Sequence, residues 1–116
     1  QYHVGTVRGG QSLHHVGNLV VMGDVNPGSE LVASGDIVVF GALRGVAHAG
    51  AQGDRTARVY ALELSATQLR IATFIAADDA SQKPHSPGAE VACVLEGRIT
   101  IVPLDQAQHL IREELH

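Results

Sequence analysis

The chain has 116 residues, the length of one domain with a single modest core. Its residues are 45% hydrophobic but only 3% aromatic, so that core must be built from Val, Leu, Ile and Ala. A formal charge of -4, with eight scattered Lys and Arg residues, excludes the basic footprint of a nucleic-acid binder. No apolar run approaches the ~18 residues of a membrane helix, and no signal segment opens the chain, so a cytoplasmic protein is expected. The single cysteine, Cys93, lies in an alternating apolar run and reads as a buried, reduced thiol.

In chain order, TVRGGQSLHHVGN (Thr6 to Asn18) predicts a first, partial coil with Gly9 and Gly10 at its corner. From Leu19 the sequence falls into sixes: LVVMGD, VNPGSE, LVASGD, IVVFGA, LRGVAH, AGAQGD. The first position is always apolar (Leu19, Val25, Leu31, Ile37, Leu43, Ala49) and the fifth always small (Gly23, Ser29, Gly35, Gly41, Ala47, Gly53). A helical period of 3.6 does not keep positions six apart on one face. A β-solenoid does: each block is a short strand and a tight corner, and three blocks close one coil. The near-copy of GNLVVMG (Gly17 to Gly23) in GDIVVFG (Gly35 to Gly41) is then one coil returning three blocks later. Equivalent residues stack one rung apart, ~4.8 Å, which predicts Leu19 under Ile37 and Val21 under Val39.

After Asp54 the glycine corners disappear while strand-like alternation persists through Val59, Ala61, Leu64, Leu69 and Ile71, giving another coil with longer strands or an extra corner. The solenoid thus spans residues 1–76, and residues 77–88, with two prolines, form a loop. Residues 89–116 are a hairpin and tail on the same domain. Val91, Cys93 and Leu95 alternate against Ile99 and Ile101 around a Glu96-Gly97 turn. Asp105 is placed as the N-cap of a short tail helix, with Gln108 three residues on and Leu110, Ile111 and Leu115 on one side.

The seven histidines offer little catalytic pattern. His14 and His15 are adjacent and face opposite sides of a strand, His3 and His116 are terminal, and His85 and His109 fall in the loop and tail. GDRTAR (Gly53 to Arg58) and GALRG (Gly41 to Gly45) lack the Lys-Ser/Thr pair of a phosphate loop. Glu30, Asp36 and Asp54 are read as a solvated face. No metal, cofactor or catalytic set is expected. The outward residues Val20, Met22, Val38 and Phe40 are apolar without need of the repeat, and are assigned to a homodimer face.

RGGQ (Arg8 to Gln11), GDVNPGSELVASGDIVVFGALRGVAHAGAQGD (Gly23 to Asp54) and VYALELSATQLRIA (Val59 to Ala72) together resemble the carboxy-terminal domains of the bacterial septum site-determining MinC family, over about Thr6 to Ala76. The resemblance implies an all-β, right-handed β-helix with three sheets that dimerises through one of them and has no enzymatic activity. It also implies a division inhibitor recruited to the inner membrane face by the ATPase MinD and bound to the tail of FtsZ, whose ring it blocks at wrong sites. The family's R-S-G-Q motif for MinD falls on Arg8, Gly9, Gly10 and Gln11, with Gly in place of Ser. Gly28 and Arg44 fall on positions for FtsZ or other partner contacts. The family's R-G-R-A reads Arg44, Gly45, Val46, Ala47 here, without the second arginine.

The sixfold repeat alone also fits two other classes. One is a left-handed β-helix acyltransferase with His48 as general base at a trimer interface. The other is a polymer-forming, bactofilin-like β-helix with uncapped ends.

Overall fold

The protein, described here from a computed structural model over residues 2–76 and 88–107, winds into stacked coils with three faces. On the first face four parallel strands lie side by side: β1 (Tyr2–Val4), β3 (Leu19–Met22), β5 (Ile37–Leu43) and β7 (Val59–Leu64). The second face carries β2 (Ser12–His15), β4 (Glu30–Ala33), β6 (Val46–Ala49) and β8 (Gln68–Ile71), also parallel. The third is a narrow ladder in which Val7, Val25 and Leu43 touch through single-residue bridges and Leu43 pairs with Leu64. The first coil begins at Tyr2 rather than at Thr6, since β1 pairs Tyr2 with Val20 and Val4 with Met22.

The predicted stacking is found: Leu19 pairs with Ile37 and Val21 with Val39. Every residue at the first position of the repeat is at most 2% exposed, and together they form one column-filled core. Branched aliphatic side chains suit this interior because each pleated layer is thin and contacts identical layers above and below.

Coil length varies by corner. The pairing of Leu19 with Ile37 is the regular step of three blocks. The step from Glu30 to Val46 is shorter, because Arg44-Gly45 stands where the coil below has the longer corner Asn26 to Ser29. The step from Ile37 to Val59 is longer than the regular one, because residues 50–58 form an extra corner that begins within the block read as regular, ahead of Asp54. That corner is anchored by Gly50 N–H and Ala51 N–H donating to Gly35 and Ala33 carbonyls, both at 3.0 Å, and by buried Ala57.

The corners are tight because coils nearly touch there. A Cβ on Gly41 would lie 2.4 Å from the Gly23 carbonyl oxygen, and one on Gly35 2.2 Å from Asn18 Oδ1. The polar residue following the glycine caps the coil above. Asn18 Oδ1 accepts from Asp36 N–H, Asp36 Oδ1 from Arg58 N–H and Asp24 Oδ1 from Ala42 N–H, each at 2.8 Å. Asp36 is therefore not simply a solvated carboxylate. It occupies one lone pair in satisfying a backbone donor that the corner leaves outside both ladders.

At the last coil, β9 (Phe74–Ala76) folds back antiparallel on β8, and β10 (Glu90–Leu95) pairs antiparallel with β7 and with β11 (Arg98–Pro103). Strands β9 and β11 approach each other and close this end of the stack. The Glu96-Gly97 turn has both residues at positive φ, 52° and 77°, the signature of a two-residue hairpin turn. Its register couples Val94 with Ile99 and Ala92 with Ile101. Directly opposed residues share a face, so Ala92 and Val94 join the coil cluster with Ile99 and Ile101, while Val91 and Cys93, although buried, stand outside that cluster. Cys93 is a buried thiol with its Sγ 3.9 Å from the Thr100 carbonyl oxygen.

Asp105 is not a helix N-cap: it lies within a 3-10 turn, Leu104–Gln106, preceded by Pro103 with no side-chain cap. Gln108, Leu110, Ile111 and Leu115 lie outside the described residues, as does nearly all of the loop assigned to 77–88.

Candidate partner-binding corner

Two four-residue turns stack where the narrow ladder meets the second face. In the upper one, Asn26-Pro27-Gly28-Ser29, Ser29 N–H donates to Asn26 O at 3.2 Å and Gly28 has φ 86°. This is a type II turn, with Pro fixing the second position and Gly supplying the positive φ at the third. Arg8-Gly9-Gly10-Gln11 repeats it one coil below: Gln11 N–H donates to Arg8 O at 3.0 Å, and Gly10 has φ 88°. Gly10 N–H donates to Gly28 O at 2.9 Å, and Glu30 N–H to Gln11 O at 3.0 Å. The Gln11 side chain turns back to accept Arg8 N–H through Oε1 at 2.6 Å.

The residues following the ladder positions Val7, Val25 and Leu43 are Arg8, Asn26 and Arg44, and they form a column up this corner. Asn26 N–H donates to Val7 O at 2.8 Å and Arg44 N–H to Val25 O at 2.7 Å. Arg8 and Arg44 are exposed and Asn26 is half-buried. Gly45, next to Arg44, is packed so tightly that a Cβ there would lie 2.6 Å from Ser29 O. The Arg44 guanidinium faces Glu63, Nη2 to Oε2 3.6 Å; among the described residues nothing pairs with that of Arg8. The structure thus brings Arg8 to Gln11, Gly28 and Arg44 to one edge, although two full coils of chain lie between Arg8 and Arg44. Such an edge offers planar, bidentate donors to carboxylates or carbonyls of a partner.

Val20, Met22, Val38 and Phe40 lie on a different surface, the outer side of the first face. Val20 pairs with Val38, which pairs with Tyr60, while Tyr2 pairs with Val20. Met22 and Phe40 are 43% and 50% exposed, and Tyr2, Val4 and Leu62 extend the apolar surface beyond the four residues expected from sequence. Burial among these neighbours pushes the Tyr60 phenol above its usual pKa.

His48 sits on the second face with Nε2 3.1 Å from Ala72 O, where it ties down the β8–β9 turn, in which Ala72 itself takes φ 54°. His14 lies 3.6 Å from Glu30. Among the described residues no three His, Cys, Asp or Glu side chains converge as a metal site; His85, His109 and His116 lie outside them.

A family profile described as the C-terminal domain of the septum formation inhibitor MinC matches residues 1–104. The chain belongs to the MinC carboxy-terminal domain family. A probable MinC of Gloeobacter violaceus is 53% identical over 97 residues, covering 83% of this chain and 34% of that protein. One of Acetivibrio thermocellus is 57% identical over 75 residues, covering 65% of this chain and 33% of that protein. The chain thus spans about a third of the length of these MinC relatives. A solved structure of a MinC:MinD cell division protein complex from Aquifex aeolicus matches with a TM-score of 0.82 and 32% identity, over 99% of this chain and 96% of that chain. The sixfold repeat that also fits acyltransferase and bactofilin-like classes is here that of a MinC domain.

The two departures from the MinC pattern now have positions. A Cβ at Gly9 would lie 2.9 Å from the Pro27 carbonyl oxygen, so glycine is what the stacked Pro27 turn leaves room for. Val46 lies on the second face in register with Glu30 and Gln68, one residue past the corner. Sequence reasoning missed Asn26 and Glu63; the available signal was that Arg8, Asn26 and Arg44 are equally spaced, each three blocks from the next.

Proposed function

We propose that this chain is the dimerising and partner-binding module of a cell division inhibitor, acting by binding and not by catalysis. MinD, named with MinC in the Aquifex aeolicus cell division protein complex, docks on the corner formed by Arg8, Gly9, Gly10 and Gln11, with Gly28 and Arg44 beside them. The observation that carries this reading is the stacking of the two type II turns, which presents the Arg8 arm and the Gly28 backbone side by side. Two copies pair through Val20, Met22, Val38 and Phe40, as expected of an unneeded apolar surface on a flat parallel sheet. The same domain contacts the FtsZ tail, in the cytoplasm, and reaches the membrane only through MinD.

The deciding experiment is capture of the chain by ATP-loaded MinD. Wild-type protein is retained and Arg8→Ala is lost while its unfolding temperature is unchanged. A well-folded wild-type chain that binds neither MinD nor an FtsZ tail peptide refutes the assignment.

A further inference from the structure

Strand β5 passes from inward Val39 to inward Leu43 through Phe40, Gly41 and Ala42, whereas β7 passes from Ala61 to Leu64 through Leu62 and Glu63 alone. The register shifts there, leaving Glu63 opposite Ala42. In the coil two below, the carboxylate at this corner, Asp24, is occupied by the Ala42 N–H. Among the described residues no backbone donor meets the Glu63 carboxylate, and its longer arm reaches over the corner to Arg44 Nη2 at 3.6 Å. Of the two guanidinium groups on the partner-binding column, that of Arg8 has no partner among the described residues and that of Arg44 already faces an internal carboxylate.

We propose that Glu63 sets the strength of binding at this corner by competing with an acidic segment of MinD for Arg44. The inference rests on the recruitment reading above. Arg8 makes the first contact, and full engagement exchanges the Glu63 carboxylate for one from the partner. The pair is well suited to exchange. Its separation exceeds the roughly 2.7–2.9 Å of a strong charged hydrogen bond, and both side chains are largely in water, 43% and 60% exposed. Exposed pairs of this kind change an equilibrium by roughly twofold to fivefold, so Glu63 tunes the site and does not block it.

The test is the affinity of ATP-loaded MinD for wild type, Glu63→Gln, Arg44→Ala and the double variant, each at low and high salt, with unfolding temperatures recorded. Glu63→Gln is expected to bind roughly twofold to fivefold more tightly at low salt, with the gain shrinking at high salt and vanishing in the Arg44→Ala background. Unchanged affinity of Glu63→Gln, or a gain that persists without Arg44, overturns the competition while leaving recruitment intact. A wild-type chain that MinD does not bind overturns both.

Discussion

Asp36 Oδ1 accepts the backbone N–H of Arg58 at 2.8 Å, one coil above it, just as Asn18 Oδ1 accepts that of Asp36. The ladder ties three successive coils together at a corner where the strands themselves cannot. Asp36→Ala is expected to cost about 1–3 kcal/mol, because it leaves the Arg58 donor unpaired at the corner. Asp36→Asn keeps the acceptor and is expected to cost less than half as much. Chemical denaturation of both variants checks this, and equal losses would remove the capping role.

Gly9→Ser restores the residue that the MinC motif carries, yet it is expected to destabilise this chain. The new Cβ would meet the Pro27 carbonyl at 2.9 Å, a backbone atom that moves only with its turn, at a cost of about 1 kcal/mol or more. Relieving the upper turn with Pro27→Ala should recover part of the loss in a double variant. Thermal unfolding of the single and double variants distinguishes this coupling from simple additivity.

Val38→Asp places a charge in the centre of the outward row Tyr2, Val20, Val38 and Tyr60. Monomers are expected in sedimentation or light scattering, with the fold retained by circular dichroism, since Val38 is only half-buried within one chain. A persistent dimer would move the interface elsewhere.

Asp54 is held below its ordinary pKa of 3.8, first by the Thr56 hydroxyl donating to Oδ1, then by the Thr56 N–H. A carboxylate with a depressed folded pKa contributes stability above 3.8 that is lost as pH falls through the folded value. Thr56→Val should therefore lower stability at neutral pH and differ less from wild type in acid, below the ordinary carboxylate pKa. A constant difference across that range would refute the linkage. The loop is exposed, so the effect is small.

Glu96 takes φ 52° ahead of Gly97 in the β10–β11 turn. Asn tolerates this left-handed region better, and Glu96→Asn is expected to raise stability by about 0.5–1 kcal/mol. A lowered melting temperature would show that the Glu96 side chain has a role beyond the turn.

Much of the solenoid is legible from single residues because its rules are local. An apolar residue at every sixth position and a small one four places later fix which side chains face in, and the near-copy three blocks on fixes Leu19 under Ile37 and Val21 under Val39. The hairpin turn is likewise readable at Glu96-Gly97, but its inward set is not. Both alternating sets on β10 are apolar, and only pairing with β7 and β11 selects Ala92 and Val94.

The site divides the same way. The sequence alone determined the repeating coil, its aliphatic interior and the presence of an arginine beside a glycine corner at Arg8. The tertiary structure decided which of those corners share an edge. The steps from Leu19 to Ile37, Glu30 to Val46 and Ile37 to Val59 differ because their corners differ in length, and no local preference sums them. Only when the coils are stacked do Arg8, Asn26 and Arg44 form one column, Gly9 meet the Pro27 carbonyl, and the shortened corner of β7 bring Glu63 to Arg44. Strand alternation is a property of one chain segment in isolation, whereas these contacts depend on the accumulated length of everything between them.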